Sequence, residues 1–168
     1  DKTLRTDHLK RETIAAANPR RAANGPGPAG ARKAMLPAFV EPSLAKLVTR
    51  APTGPQWLHE IKFDGYRVQA RIDGGKVRLM TRKGLDWTTK FSFVAEALKD
   101  LRLPSALIDG EVVVEDAGGI SSFSALQQDL STGRTDRLVF YAFDLLYLDG
   151  RDLRPAALRE RKALLQLA

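Results

Sequence analysis

The sequence has no cysteine. That excludes a disulfide framework and any thiolate metal site. Its two histidines, His8 and His59, are too few for a histidine-built zinc centre. No apolar run approaches the roughly 20 residues that a membrane-spanning helix requires. The first residues are polar and basic, unlike a signal peptide. GxxxxGK(S/T) does not occur, and the GxGxxG spacing occurs only as "GPGPAG" (Gly25 to Gly30), a Pro-rich stretch with no strand pattern before it, so neither a P-loop nor a dinucleotide-binding loop is indicated. These absences leave a cytoplasmic protein with no membrane partner as the expectation.

What is present is basic charge. Net charge is +7 over 168 residues, which points to an anionic partner such as nucleic acid or nucleotide phosphate. Apolar residues make up 43% of the chain, enough for one packed core. The chain starts at Asp1 and stops at Ala168 inside a helix-like pattern, and reads as a piece of a longer polypeptide.

Residues 1–34 read as a basic linker or arm. The stretch "NPRRAANGPGPAGARK" is rich in Pro, Gly, Ala and Arg and has little to bury. A short helix is expected in "HLKRETIAAA". From Met35 the composition changes, and "MLPAFVEPSLAKL" carries apolar anchors that should pack on the domain body.

Next, "WLHEI" reads as a short strand, with Trp57, like Trp87, as a packing residue. Glu60 and Lys62 would then share one side of it. Tyr66, Val68, Ala70 and Ile72 alternate with Arg67, Gln69 and Arg71, the period of a half-buried strand. Asp73-Gly74-Gly75 signals a hairpin into "KVRLMTR". "KFSFVAEALKDL" has helical spacing. "ALIDGEVVV" and "RLVFYAFDLLYL" read as strands. "SFSALQQDL" reads as a helix capped by Ser121 or Ser122, and a last helix begins near Ala156 or Ala157. The expected class is α+β, with helices packed on twisted antiparallel sheets.

Four polar clusters lie beside these strands: Glu60, Lys62, Asp64, Gly65 and Arg67; Arg82-Lys83-Gly84; Asp109-Gly110-Glu111; and Phe143-Asp144. The residue types suit nucleotidyl transfer onto a lysine. A lysine amine attacks only when neutral, and nearby cations and partial burial favour that form. Charge developing on phosphate oxygens needs Arg, Lys or a divalent metal. Each residue also has an ordinary reading. A lone lysine is usually a solvated strand-end charge, and Arg82 beside Lys83 fits a solvated face. Phe143 sits in an apolar run that suits a core residue, and Asp144 suits a satisfied buried carboxylate.

"EIKFDGYR" resembles the KxDGxR nucleotidyltransferase motif of the ATP-dependent DNA ligases. "TRKG", "DGEVVV" and "FYAFDLLYLDG" resemble their next three motifs in the family's order. "TRKGLDWTTKF" and the basic arm look most like bacterial ligase D. The resemblance implies the DNA ligase and mRNA capping enzyme nucleotidyltransferase (ATP-grasp-like) fold, with residues 35–168 as the front part of the adenylation domain. It implies ATP as cofactor, AMP as the covalent intermediate, and Mg²⁺ or Mn²⁺. By the same resemblance, Lys62 is the adenylated nucleophile and Glu60 reads the adenine amino group. Arg67 contacts ribose or a nearby nucleic acid phosphate, and Arg82 the sugar-phosphate. Glu111 holds the ribose and helps with metal, and Phe143 stacks on adenine. Asp64 and Gly65 support the lysine loop, and Asp109 is structural.

The family's later glutamate-bearing motif and lysine pair are not found before Ala168, so the resemblance makes the fold incomplete at the C-terminus. Implied partners are nicked or broken double-stranded DNA, Ku, and fused polymerase and phosphoesterase domains, in non-homologous end joining. Two other readings share the lysine motif or the charge: an RNA ligase or capping-type nucleotidyltransferase, and a catalytically inert nucleic-acid-binding fragment. "DGEVVV" with "FDLLYLDG" looks more like DNA ligase.

Overall fold

A computed structural model describes residues 27–168, in which the strands β1 (Arg32–Lys33), β2 (Tyr66–Asp73), β3 (Lys76–Thr81), β4 (Ser105–Val113), β5 (Val139–Leu148) and β6 (Arg151–Asp152) form one antiparallel sheet. Its order is β1-β6-β5-β4-β2-β3. Three helices accompany it among these residues: α1 (Ser92–Lys99), α2 (Phe123–Ser131) and α3 (Leu158–Leu165). The class is α+β and the sheet does not close. The helix expected in "HLKRETIAAA" lies outside the described residues.

The two-residue period of β2 decides which side chains meet which layer. Val68, Ala70 and Ile72 enter the main core with Leu79, Ile108, Val112 and Leu145. Phe91, Val94, Ala95 and Leu98 recur at helical spacing and bring α1 onto this face. Leu126 of α2 joins them, and the Ser122 side chain accepts from the Ala125 N–H to cap that helix.

The opposite face is also covered. The irregular strap at residues 36–43 crosses it, with Leu36, Phe39 and Val40 against Met80, Leu107, Leu146 and Tyr147. The alternate residues of β2, expected on a solvated polar face, bind this strap instead. Gln69, 1% exposed, accepts from the Val40 N–H at 3.1 Å and donates back to the Val40 carbonyl. Arg71 donates to the Pro37 carbonyl at 3.1 Å, and Arg67 to that of Ser43 at 2.7 Å. The apolar anchors beyond the strap do not all pack, for Leu44 and Leu47 are exposed.

Strand β5 is paired with β4 through two register shifts that leave Phe143 and Leu146 without partners opposite. Such bulges re-aim side chains. The shift at Leu146 puts neighbours Leu146 and Tyr147 together in the strap-side cluster, while Leu145 and Leu148 serve the main core.

Several expectations fail. "WLHEI" forms no strand, and Glu60 and Lys62 do not share a strand face. No neighbouring strand offers this segment a ladder among the described residues. The segment instead turns back on itself, with Trp57 N–H to the Gly54 carbonyl at 3.2 Å and the His59 ring bonded to the Pro52 carbonyl at 2.9 Å. Trp57 is 49% exposed rather than packed, whereas Trp87 meets Tyr66 and Phe91. Arg32 and Lys33, expected within the linker, form β1 and pair with Arg151 and Asp152.

Candidate active site

Lys62 sits on the irregular approach to β2 and is held by its neighbours. Phe63 stacks on Tyr141 of β5, with ring centroids 4.0 Å apart and an interplanar angle of 9°. The Asp64 N–H donates to Ser121 Oγ at 3.0 Å, and the Gly65 N–H to Glu111 Oε1 at 3.1 Å. Gly65 is required by proximity. A Cβ there would lie 2.2 Å from the Val112 carbonyl oxygen and 2.8 Å from Val113 Cγ1. Three ties thus aim Lys62, whose own ammonium has no hydrogen-bond or ion-pair partner among the described residues.

Lys62 faces a cleft of about 720 Å³, also lined by Arg67, Arg82, Lys83, Trp87 and Glu111. Arg82 and Lys83 come from the tight turn after β3, closed by the Gly84 N–H to the Thr81 carbonyl at 2.8 Å. Gly84 has φ 74°, which suits a residue without Cβ. Four cations therefore face the cleft against one carboxylate, Glu111. This balance favours an anionic occupant.

Glu111 is half-buried. Burial pushes its carboxyl above the ordinary range, opposed by the Gly65 N–H and the Lys62 and Arg67 cations. Preceding it, Gly110 lies so close to the Phe140 ring that a Cβ would approach to 2.4 Å. The Asp-Gly-Glu order thus puts a backbone without side chain between the carboxylate that holds Arg67 and the one that accepts from the Gly65 N–H.

Arg67 is more committed than its expected role implied. It donates to both oxygens of Asp109, at 3.2 and 2.8 Å, and to the Ser43 carbonyl. Two of its five N–H groups remain for a ligand. The bond to Asp109 raises the guanidinium pKa further, against its desolvation. The same guanidinium lies over the Phe143 ring, 5.4 Å from its centroid.

Glu60 and Phe143 do not line the cleft beside Lys62. Both instead meet Lys162 of α3, which forms an ion pair with Glu60 and donates to the Phe143 carbonyl at 2.8 Å. Asp144 accepts from Arg161 through both oxygens, at 2.8 and 2.9 Å, which docks α3 on β5. Asp64 contributes a backbone N–H, and its carboxylate is exposed.

No group of three His, Cys, Asp or Glu suited to a metal occurs among the described residues. A lone Glu111 fits a divalent cation only where a ligand's phosphates supply most of the oxygens.

Phe63, Tyr141, Ser121 and Lys162 were not legible as site residues. Phe63 stands inside the lysine motif, but nothing in its spacing pairs it with a residue 78 positions later.

A family model described as ATP dependent DNA ligase domain matches residues 34–168. The multifunctional non-homologous end joining protein LigD of Pseudomonas aeruginosa is 41% identical over 166 residues, covering 99% of this chain and 19% of that protein. LigD of Mycobacterium bovis is 43% identical over 111 residues, or 66% of this chain and 14% of its own length. The chain thus spans at most about a fifth of these relatives. A solved mycobacterial DNA ligase D complexed with ATP and MES matches with a TM-score of 0.57 at 41% identity, covering 64% of this chain and 35% of that one.

Proposed function

Because this chain belongs to the ATP-dependent DNA ligase domain family, we propose that its cleft binds ATP and that Lys62 takes AMP from it. The single observation that carries this reading is an unpaired lysine facing a cation-rich cleft. The solved relative bound to ATP supports the choice of nucleotide.

In this reading the neutral Lys62 amine attacks the α-phosphorus in line. An N–P bond forms, the bond to the bridging oxygen breaks, the amine loses a proton, and pyrophosphate leaves. Arg82 and Lys83 receive charge growing on the phosphate oxygens, and Arg67 offers its two spare N–H groups. Glu111 accepts from a ribose hydroxyl and would supply one oxygen toward a divalent cation, Mg²⁺ or Mn²⁺. That cation would neutralise phosphate charge. Glu60 and Phe143 lie outside the lining of the cleft, and would address a base that extends past Arg67, which overlies the Phe143 ring. Gly65 and Asp64 hold the lysine loop, and Asp109 holds Arg67.

The longer protein would pass AMP to a 5′-phosphate at a DNA break, and a 3′-hydroxyl would then displace it. We place that protein in end joining, in the bacterial cytoplasm, with broken duplex DNA as substrate. Ku and fused polymerase and phosphoesterase domains would be its partners, and residues 1–34 its basic tether.

The test is covalent labelling. ATP labelled at the α-phosphate should leave label on the protein, and Lys62→Ala should remove it while DNA binding persists. Label surviving in Lys62→Ala, or arising from GTP alone, overturns the reading.

A further inference from the structure

We propose that Lys162 of α3 is a positioning residue that sets the preference for adenine at the margin of the cleft, where Arg67 of the lining overlies Phe143. The proposal rests on the reading above, in which Glu60 and Phe143 address the base. One ammonium joins the two: its Nζ pairs with Glu60 Oε1 and donates to the Phe143 carbonyl at 2.8 Å.

Each contact meets a specific need. Glu60 lies in a segment without regular structure, and its side chain is 43% exposed. Nothing in its own backbone fixes the carboxylate. The ion pair does so through Oε1 and leaves Oε2 as an acceptor, which suits the exocyclic amine of adenine. The 6-oxo group of guanine brings only lone pairs to that position, so a fixed carboxylate discriminates and a wandering one does not.

Phe143 is an unpaired residue of a β-bulge in β5. Bulges hold a chosen geometry only when the displaced backbone groups find partners. Lys162 satisfies the Phe143 carbonyl, while the Phe143 ring rests under Arg67. The helix carrying Lys162 is itself fixed by the bidentate Arg161–Asp144 pair, one residue away on each element. The ammonium is therefore a rigid post rather than a swinging surface lysine.

The test compares initial labelling rates with α-labelled ATP and GTP at subsaturating concentration. The proteins are wild type, Lys162→Met, Lys162→Arg, Glu60→Gln and the Glu60→Gln/Lys162→Met double variant. Loss of one charge-assisted hydrogen bond predicts that the ATP-over-GTP rate ratio falls about tenfold in Lys162→Met. Lys162→Arg, which keeps two donors and the charge, retains the ratio. In the Glu60→Gln background, Lys162→Met lowers it no further. Thermal unfolding accompanies each variant, and Lys162→Gln carries the same test should Lys162→Met not fold.

An unchanged ratio with both rates slowed assigns Lys162 a merely structural part and overturns the proposal. Multiplicative effects of the Glu60 and Lys162 substitutions do the same. A wild-type protein that takes no label from ATP overturns the ligase reading itself, and this inference with it.

Discussion

Consider removing the partners of the Arg67–Asp109 pair one at a time and together. Asp109 is 5% exposed at its side chain and Arg67 25%. Two N–H···O bonds join them, at 3.2 and 2.8 Å. Arg67→Met keeps most of the aliphatic stem but strands a carboxylate in the sheet. Breaking a buried pair costs about 3–5 kcal/mol, and the partial exposure of Arg67 places this case near about 3. Asp109→Leu leaves a guanidinium that keeps the Ser43 carbonyl, the Phe143 ring and some solvent. Its expected cost is about 2 kcal/mol.

The double variant leaves neither charge behind and should cost about 2 kcal/mol, against about 5 for the sum of the single changes. The coupling is therefore about 3 kcal/mol. Urea unfolding at constant m-value measures it. In thermal unfolding the Arg67→Met loss should appear as a midpoint drop of about 6–12 °C for a chain of this size. Single-variant costs that add to within about 0.5 kcal/mol would refute the reasoning, because independent sites behave that way.

Gly65→Ala forces a Cβ onto the Val112 carbonyl; overpacking of this kind costs about 1–3 kcal/mol, and labelling of Lys62 should fall more steeply than stability. Arg82→Ala should raise the ATP concentration needed for half-maximal labelling while leaving the unfolding midpoint unchanged, since its side chain is exposed. Glu111→Gln tests the raised carboxyl. A group whose folded pKa lies above its unfolded value of about 4.3 destabilises the fold only when ionised. That penalty is absent below the unfolded pKa and complete above the folded one, so Glu111 makes stability fall as pH rises through the window. The glutamine still accepts from the Gly65 N–H, and the variant should gain on wild type in urea midpoint from acid toward neutral pH. A constant or shrinking gap refutes the shift.

The strands and helices with clear periods were legible in advance. Period two in residues 66–72, helical spacing from Phe91 to Leu98 and the Ser122 cap all find their counterparts. "WLHEI" was misread because apolar content in a short run says nothing about whether a partner strand is available. The polar stripe of β2 was legible as polar but not as covered, since its partners are backbone groups of a strap without pattern. Within the site, Lys62, Arg67, Arg82 and Glu111 share one cleft as their motifs suggested. The contacts of Glu60 and Phe143 with Lys162 were not legible, because they depend on a helix placed by Arg161 and Asp144.

The strap has a consequence for how this fold tolerates change. Arg67, Gln69 and Arg71 grip it through the carbonyls of Ser43, Val40 and Pro37, and through the Val40 amide. Every residue type offers those carbonyls, so the grip is indifferent to side-chain identity along much of the strap. For this grip the forbidden letter is proline at position 40, where the missing N–H would leave the buried Gln69 oxygen without its donor. The hydrogen-bonded part of the contact asks for particular side chains in β2 alone, while on the strap only Leu36, Phe39 and Val40 answer to the apolar cluster beneath them.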